Sequence, residues 1–337
     1  MVNMDRILMC VLVGFAISLA ISPVVVGLMR KLKANQTIYE YVDMHKSKAN
    51  TPTMGGLIFI IGAIASSVLC FKGNSSLAIV CVVCFLCFGI IGFLDDFLKI
   101  YFKHNLGLKP YQKIIGQLAI SVIIAVFAYK NAGIGSQIYL PFTNGLVDLG
   151  WFYIPFCIFV FLATTNSVNL TDGLDGLAGG VSASFLFGFV GATFILIKSL
   201  NIADPVFLKE QMNILVLCGG VIGSLFAYLI FNCYPANIFM GDTGSLALGG
   251  LVASISICTK QVLLIPILGI MFVISAVSVI IQVVWYKLTK KRVFLMAPFH
   301  HHLEKKGVNE TRIVVIYIVV TLIISVATIW IYGLTNL

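Results

Sequence analysis

The sequence predicts an all-α polytopic membrane protein whose chain crosses the bilayer about ten times. Hydrophobic residues make up 60% of the 337 residues and charged residues only 10%, whereas a soluble domain usually carries about 25% charged residues. Apolar stretches of about 18 residues or more, the length that a helix needs to span a membrane, recur from one end of the chain to the other. We therefore expect a single integral membrane domain over residues 1–337.

Windows of apolar residues place the predicted helices in order along the chain. They lie near Ile7 to Met29, Met54 to Phe71, Ser76 to Leu94, Ile114 to Tyr129, Phe152 to Thr164, Leu177 to Ile197, Ile214 to Phe231, Ser245 to Cys258, Val262 to Tyr286 and Ile313 to Tyr332. The fifth and eighth windows are short for a bilayer core of about 30 Å, so these helices must extend into neighbouring polar residues, tilt, or be sheltered by protein.

Lysine and arginine residues orient these helices. Sixteen of the 22 basic residues fall on segments that follow odd-numbered windows, and the positive-inside rule assigns such segments to the cytoplasm, with both termini outside. The net charge of +9 is therefore a topology signal, and we expect no nucleic-acid partner. All five histidines and nine of the 13 acidic residues lie on the same segments, so we expect the active site on the cytoplasmic face.

A polar segment with Lys48, Thr51, Gly55 and Gly56 precedes the second predicted helix. One interpretation is an ordinary helix start, with threonine as the cap and the glycines as close-packing residues. The other interpretation adds Lys48 and free backbone amides as a site for an anion at the helix N-terminus. The spacing alone leaves both open.

Two adjacent acids, Asp95 and Asp96, stand at the end of the third predicted helix. Like charges side by side repel, and a helix C-terminus disfavours them, so the pair needs a cation or a proton. Lys99 offers local ion pairing as one explanation. We favour a divalent metal or a bound substrate, because acids at a membrane edge are costly to retain without a function.

A further polar segment, between the fifth and sixth predicted helices, contains Asn166, Asn169, Asp172 and Asp175 and has no lysine or arginine nearby. Asp172 could cap the sixth helix. Capping leaves the two asparagines and Asp175 unexplained, so we favour a ligand-binding site.

Asp242 and Phe239 precede the eighth predicted helix in a segment that also lacks basic residues. Asp242 fits the N-cap of that helix, and it equally fits a ligand of Mg²⁺. Phe239 offers an aromatic face to a nucleobase. Two acidic segments on a face that should be basic indicate a shared cation.

Three consecutive histidines, His300, His301 and His302, lie in the most basic segment. On a helix they point in different directions, which disfavours a single zinc site made by all three. We expect them to bind phosphate or hydroxyl groups instead.

The five polar segments together favour phosphoryl transfer between a nucleotide and a lipid. They supply carboxylates for Mg²⁺, cations for phosphates and an aromatic ring for a base, all at one predicted face of the membrane. The sequence has no Walker loop or kinase motif, so a nucleotide sugar is a better donor than ATP. A transporter would instead place its polar residues near the bilayer midplane.

Five strings in this order resemble the MraY family of phospho-N-acetylmuramoyl-pentapeptide-transferases, and they span nearly the whole chain. They are TPTMGG at 51–56, LDDFLK at 94–99, NLTDGLDGLA at 169–178, NIFMGDTGSLALGG at 237–250 and PFHHHLEKKG at 298–307. The resemblance implies that phospho-MurNAc-pentapeptide passes from UDP-MurNAc-pentapeptide to undecaprenyl phosphate, with Mg²⁺, giving lipid I and UMP. It also implies a multi-pass protein of the bacterial plasma membrane, and a homodimer stays an open alternative.

The resemblance also implies roles for individual residues. Asp242 would be the metal ligand, and Asp95 and Asp96 would serve the lipid phosphate or the transfer step. The nucleotide end would be bound by Asn169, Asp172, Gly173, Asp175 and Phe239. A polar rim would consist of Lys48, Thr51, Lys99, Lys113, Gln282, His300, His301 and His302.

Two alternatives stay open for the reaction. A related transferase that uses UDP-N-acetylglucosamine would share the acidic motifs, although the uninterrupted histidines and TPTMGG disfavour it. Direct attack by the lipid phosphate competes with a route through an aspartyl-phosphate. We favour direct attack, because a phosphate monoester has a second pKa of about 6 and is already anionic near neutral pH.

The ninth predicted helix, Val262 to Tyr286, is too long for a straight span. Its 25 residues would extend about 37 Å against a bilayer core of about 30 Å. Pro266 and Gly269 mark a weak point, so we expect a bend there and a groove for the polyprenyl tail with Gln282 at its mouth. A tilted helix whose Gln282 reaches water is the alternative.

Overall fold

The computed structural model describes residues 4–32, 34, 51–73, 75–102, 107–143, 145–199 and 205–335. The helices are α1 (Asp5–Lys31), α2 (Gly56–Cys70), α3 (Ser76–Phe102), α4 (Pro110–Lys130), α5 (Tyr153–Thr171), α6 (Leu177–Ser199), α7 (Pro205–Asn232), α8 (Gly241–Cys258), α9 (Leu264–Leu268), α10 (Ile270–Thr289), α11 (Phe299–Lys305) and α12 (Glu310–Thr335). Among these residues nine helices are long and apolar enough to cross a membrane, and the shorter apolar helix α2 makes a tenth candidate. The predicted fold class is confirmed.

Helices α6, α7 and α8 form the centre of the bundle and are the most buried spans. Helix α3 packs along α8, and α1 packs along α7. The contact between α1 and α7 uses small residues, since a Cβ added to Gly14 or Gly223 would collide with backbone of the facing helix. The hydrophobic effect does not drive helices together within a membrane, so they associate through close packing of this kind at small residues.

Three helices extend beyond their apolar windows into the polar candidate segments. Helix α3 continues past Leu94 to Phe102, α5 continues past Thr164 to Thr171, and α8 begins at Gly241. In α5 the polar extension is still helical, and the hydroxyl groups of Thr165 and Thr171 satisfy their own hydrogen bonding by donating to backbone carbonyls one turn earlier. The polar candidates therefore lie on rigid helical turns as well as in loops.

The ninth window is broken into two helices at Gly269. Helix α9 ends at Leu268 and α10 begins at Ile270, so the helix is interrupted at the expected weak point. Beyond Ser278 the side chains of α10 are exposed or partly exposed on all its faces. This half of α10 therefore stands apart from the other described helices.

Two three-residue strands, Gln137–Tyr139 and Leu146–Asp148, form an antiparallel hairpin between α4 and α5 that apolar windows do not detect. The N–H of Tyr139 donates to the carbonyl of Lys260 at 2.8 Å. The hairpin is thereby attached to the turn after α8, at the end of the bundle away from Asp95.

Candidate active site

The ends of α3 and α8 bring three aspartates together. Oxygen atoms of Asp95, Asp96 and Asp242 lie within 4.8 Å of one another. The two helices approach closely because Gly92, one turn before Asp96, faces the backbone of Asp242, which a Cβ at Gly92 would strike. We call these aspartates, together with Lys99 and Lys113, the acidic cluster.

Two lysines bridge two of the aspartates. Lys99 Nζ lies 2.5 Å from Asp95 Oδ2 and 3.3 Å from Asp242 Oδ2. Lys113 Nζ, from the first turn of α4, lies 3.0 Å from Asp95 Oδ2 and also contacts Asp242 Oδ2. Fully ionised, the acidic cluster carries three negative and two positive charges, so one negative charge is left without a partner inside it.

Asp242 lies in the first turn of α8 and is not its N-cap, which is Met240. The capping alternative is therefore wrong for this residue. Asp242 Oδ1 accepts a hydrogen bond of 2.8 Å from the Asn169 amide, which also lies 2.8 Å from the Ser245 hydroxyl. Asp242 keeps the largest exposed fraction of the three acid side chains, 16% against 0% for Asp95 and 4% for Asp96.

Asp95 and Asp96 have different partners although they are adjacent. Asp95 Oδ1 accepts from the backbone N–H of Leu108 at 2.8 Å, and its Oδ2 faces the two lysines. Asp96 faces α8, and its oxygens accept from the backbone N–H groups of Asp242 and Thr243 and from the Thr243 hydroxyl.

Asp172 is the C-cap of α5, and α6 begins only at Leu177, so capping of α6 by Asp172 is wrong. A turn over residues 172–176 separates the two helices. Burial, and then the charges of Asp242 and Asp96, raise the pKa of Asp172 above its usual range. This half-buried carboxyl group therefore lies in the field of the acidic cluster.

Asp175 joins three segments. Its Oδ2 accepts from the backbone N–H of Ala236 at 3.0 Å, and its own N–H donates to Glu310 Oε1 at 2.9 Å. Next to it, the N–H of Gly176 donates to the Asn232 side chain at 3.0 Å. The α5–α6 turn, the end of α7 and the start of α12 are thereby held beside each other.

Asn166 lies on α5 three residues before Asn169. Its amide donates to Gln117 Oε1 of α4 and to the Leu162 carbonyl, both at 2.8 Å. Of the asparagines on α5, Asn169 contacts the acidic cluster, and Asn166 joins α5 to α4.

The segment before α2 pairs with the segment before α8. The N–H of Gly55 donates to the carbonyl of Phe239, and the N–H of Phe239 donates to the carbonyl of Pro52, both at 2.8 Å. Thr51 and Phe239 are half-buried at this junction. Lys48 lies outside the described residues.

Two of the three histidines of α11 share a neighbour: the ring centroids of His300 and His301 lie 4.3 Å apart and both rings approach Gly173, whereas His302 faces Leu295. His300 is buried and packs against Gly173, where a Cβ would meet its ring. His301 Nδ1 lies 2.6 Å from Glu304 Oε2. His302 Nδ1 accepts from the N–H of Leu295 at 3.1 Å, and its pKa is lowered, first by burial and then by the charge of Lys306.

Gln282, on the exposed half of α10, uses both ends of its amide within the protein. Its Oε1 accepts from the N–H groups of Val293 and Phe294, and its Nε2 donates to the Phe294 carbonyl. This side chain therefore fixes the connection from α10 to α11.

Comparison with known proteins decides the family. A model of glycosyl transferase family 4 matches residues 76–260, and a phospho-N-acetylmuramoyl-pentapeptide-transferase signature matches residues 48–60. A phospho-N-acetylmuramoyl-pentapeptide-transferase of Clostridium novyi is 44% identical over 322 residues, 95% of each chain. That of Clostridioides difficile is 41% identical over 328 residues, 96% of this chain and 97% of the relative. That of a Thermoanaerobacter species is 44% identical over 324 residues, 95% and 96%.

The chain belongs to the phospho-N-acetylmuramoyl-pentapeptide-transferase family. The matched family model extends from the start of α3 to just past α8, and so includes all three aspartates of the acidic cluster. The shorter signature covers the segment that pairs with Phe239.

The acidic cluster fits a divalent metal ion. Its three carboxylates offer the hard oxygen ligands that Mg²⁺ and Ca²⁺ prefer, and their oxygens are close enough for one ion to reach all three. The excess of one negative charge favours a cation, and Asp242 is the most exposed of the three aspartates.

Sequence reasoning missed four polar residues that organise this site: Gln117, Thr243, Ser245 and Glu310. Three of them are ordinary polar residues at helix starts, where capping is the default explanation. Gln117 gave a usable signal, since it is a fully buried amide inside an apolar helix, and such groups need a hydrogen-bonding partner.

Proposed function

We propose that the protein transfers phospho-MurNAc-pentapeptide from UDP-MurNAc-pentapeptide to undecaprenyl phosphate in the bacterial plasma membrane. An oxygen of the lipid phosphate attacks the sugar-linked phosphorus, a new pyrophosphate bond forms, and the bond to the UMP phosphate breaks. The products are lipid I and UMP. The support comes from the phospho-N-acetylmuramoyl-pentapeptide-transferases to which 95% of the chain is similar, and from the acidic cluster.

One observation carries the proposal: Lys99 and Lys113 each contact both Asp95 and Asp242. A pyrophosphate brings negative charge that competes with these carboxylates for the ammonium groups. Long lysine stems can turn toward it without backbone movement. The lysines therefore hold the acids in place before binding and pair with phosphate afterwards.

Asp242 and Asp95 are the residues that would hold Mg²⁺. When bound, the ion neutralises charge on the pyrophosphate and polarises its oxygens. Asp95 then orients the lipid phosphate for direct attack, which needs no strong base. Asn169 supports Asp242 through its 2.8 Å hydrogen bond.

The nucleotide end is assigned to the junction of the α5–α6 turn with the segment before α8. Phe239 offers a half-exposed ring to the base. Asp172, Gly173 and Asp175 line the turn, and His300 packs against that turn. Thr51, His301 and His302 are assigned to the rim that faces the rest of the donor, and the role of Lys48 stays a prediction from the sequence.

The polyprenyl tail is assigned to the exposed half of α10. Ile280, Val284 and Leu288 recur at helical spacing and are all exposed. Photo-crosslinking with a polyprenyl phosphate should label this face, whereas labelling confined to other helices would contradict the assignment. A bulky substitution that tests this face belongs at the exposed Val277. At the neighbouring Ser278, which is buried, a tryptophan would disturb packing.

The direct test incubates purified protein with UDP-MurNAc-pentapeptide, Mg²⁺ and a polyprenyl phosphate. We expect UMP and a lipid-linked product in equal amounts. A parallel reaction with UDP-N-acetylglucosamine distinguishes the related transferase. Turnover with that donor and none with the peptide-bearing donor would contradict the proposal.

A further inference from the structure

The N-terminus of α8 is capped from a different helix. The first N–H groups of any helix lack intrahelical partners, and the N-cap residue Met240 offers no side-chain acceptor. Asp96 of α3 takes this place. Its Oδ1 accepts from the Asp242 N–H at 3.2 Å, and its Oδ2 accepts from the Thr243 N–H at 2.9 Å and the Thr243 hydroxyl at 2.7 Å.

The turn before α8 is built around this carboxylate. Gly241 has a φ of +73°, a conformation that glycine adopts readily. A side chain at Gly241 would strike Asp96 and would also come within 2.7 Å of the Thr53 hydroxyl. The negative charge of Asp96 also suits the positive end of the α8 dipole.

Asp95 and Asp96 differ in the partners that each carboxylate would have to give up to contact a substrate. Asp95 Oδ2 is held by lysine side chains, which can turn away when phosphate arrives. The Asp96 oxygens accept from backbone and hydroxyl donors of the first turn of α8, and Lys99 Nζ is farther away, 4.0 Å from Oδ1. Releasing Asp96 toward a substrate would leave backbone donors of α8 unpaired in a buried place, which is costly.

We propose that Asp96 is a positioning residue that fixes the first turn of α8 and so directs the Asp242 carboxylate toward Asp95 and the two lysines. The backbone N–H of Asp242 donates to Asp96, so Asp96 fixes the backbone position from which the Asp242 side chain extends. This inference rests on the proposed function, and it assigns the direct chemistry to Asp95 and Asp242 alone.

The test uses Thr243, which donates to Asp96 through its hydroxyl group. Thr243→Val removes one of the three hydrogen bonds and nearly conserves side-chain volume, whereas Thr243→Ser keeps the hydroxyl. Glu210→Gln is the matched control, because Glu210 of α7 caps α3 in the same way at the other end of the bundle. Two quantities are measured: the Mg²⁺ concentration for half-maximal turnover and hydrogen exchange of the amides in residues 240–245.

We expect Thr243→Val to raise the Mg²⁺ requirement about tenfold, as loss of one hydrogen bond to a charged group allows, and to speed amide exchange at the start of α8. Thr243→Ser should restore both quantities, and Glu210→Gln should leave both unchanged. Asp96→Asn should act in the same direction, and adding Thr243→Val to it should cause little further change, since the two residues act through one contact.

The inference is overturned if Thr243→Val matches the unmodified protein in both quantities while Asp96→Asn strongly lowers turnover but leaves the Mg²⁺ concentration for half-maximal turnover unchanged. That result would place Asp96 in the transfer step. Amide exchange needs no substrate. A protein inactive with the nucleotide donor but with the expected exchange pattern would therefore refute the proposed function and keep the cap.

Discussion

The two ends of α3 carry carboxylates in contrasting surroundings. At the Ser76 end, Glu210 of α7 accepts from the hydroxyls of Ser75 and Ser76 and from the N–H groups of Ser76 and Leu77, at 2.5 to 3.0 Å. At the Lys99 end, Lys99 and Lys113 each pair with Asp95 and Asp242. One acid with four fixed donors is a finished structural contact, whereas acids paired with long lysine side chains can exchange these partners for a metal ion or a phosphate.

We infer from this difference that the Ser76 end of α3 serves stability and the Lys99 end serves the reaction. By its contacts Asp96 resembles Glu210, although it lies beside Asp95 and Asp242, to which we assign the direct chemistry. Asp95 and Asp242 differ from it, because the Oδ2 atom of each faces the ammonium groups of Lys99 and Lys113. The comparison predicts a graded series of mutational effects.

The largest effect is expected for Asp242→Ala. It removes the most open carboxylate of the acidic cluster, so turnover should fall at least about 10³-fold, while the protein still inserts and folds. UMP release measured against Mg²⁺ concentration checks this. Near-normal activity at ordinary Mg²⁺ would refute the metal assignment.

Asp95→Asn should lower turnover by about 10²-fold, because a neutral amide no longer draws Lys99, Lys113 or the cation to the transfer position. Binding of the UDP-sugar, measured by calorimetry, should change much less. If binding is lost together with the rate, Asp95 belongs to the nucleotide site.

Gly92→Ala should have an intermediate effect, and it should lower both turnover and stability. A Cβ at Gly92 meets the Asp242 backbone, so α3 and α8 must separate, at a cost of about 1–3 kcal/mol in stability. Turnover should fall with thermal stability, and Gly116→Ala on α4 is the control, since its Cβ meets only a flexible isoleucine side chain, that of Ile91. Equal behaviour of the two variants would contradict the tight crossing.

Glu210→Gln should have the smallest effect on activity. It weakens a helix cap, so the free energy of unfolding should fall by about 1 kcal/mol, while turnover per folded molecule stays unchanged. Thermal denaturation in detergent and an activity assay on the same sample measure both. A selective loss of turnover would show that the Ser76 end is not merely structural.

The spans could be predicted from the sequence because a membrane helix is recognised by the length and hydropathy of its apolar stretch. It placed the ends of α3 and α5 too early and the start of α8 too late, since hydropathy falls at the first polar residues even where the helix continues. Asp95, Asp242 and Asn169 were found as candidates because charged and amide groups are rare in such a chain.

The distinction between Asp95 and Asp96 was beyond sequence reasoning. Adjacent residues on a helix point about 100° apart, and which of them faces α8 depends on how two distant segments pack. The same limit hid the contact between Asp175 and Glu310, which are separated by 135 positions. Contacts of this kind follow from the three-dimensional arrangement alone.

Binding of Mn²⁺ in the presence of UMP, followed by electron paramagnetic resonance, tests most directly whether the Lys99 end of α3 is the cation site. The unmodified protein and Glu210→Gln should bind one ion per chain with equal affinity. Asp242→Ala should bind it at least about tenfold more weakly, as removal of a charged ligand requires. Equal affinity in all three proteins would contradict the account.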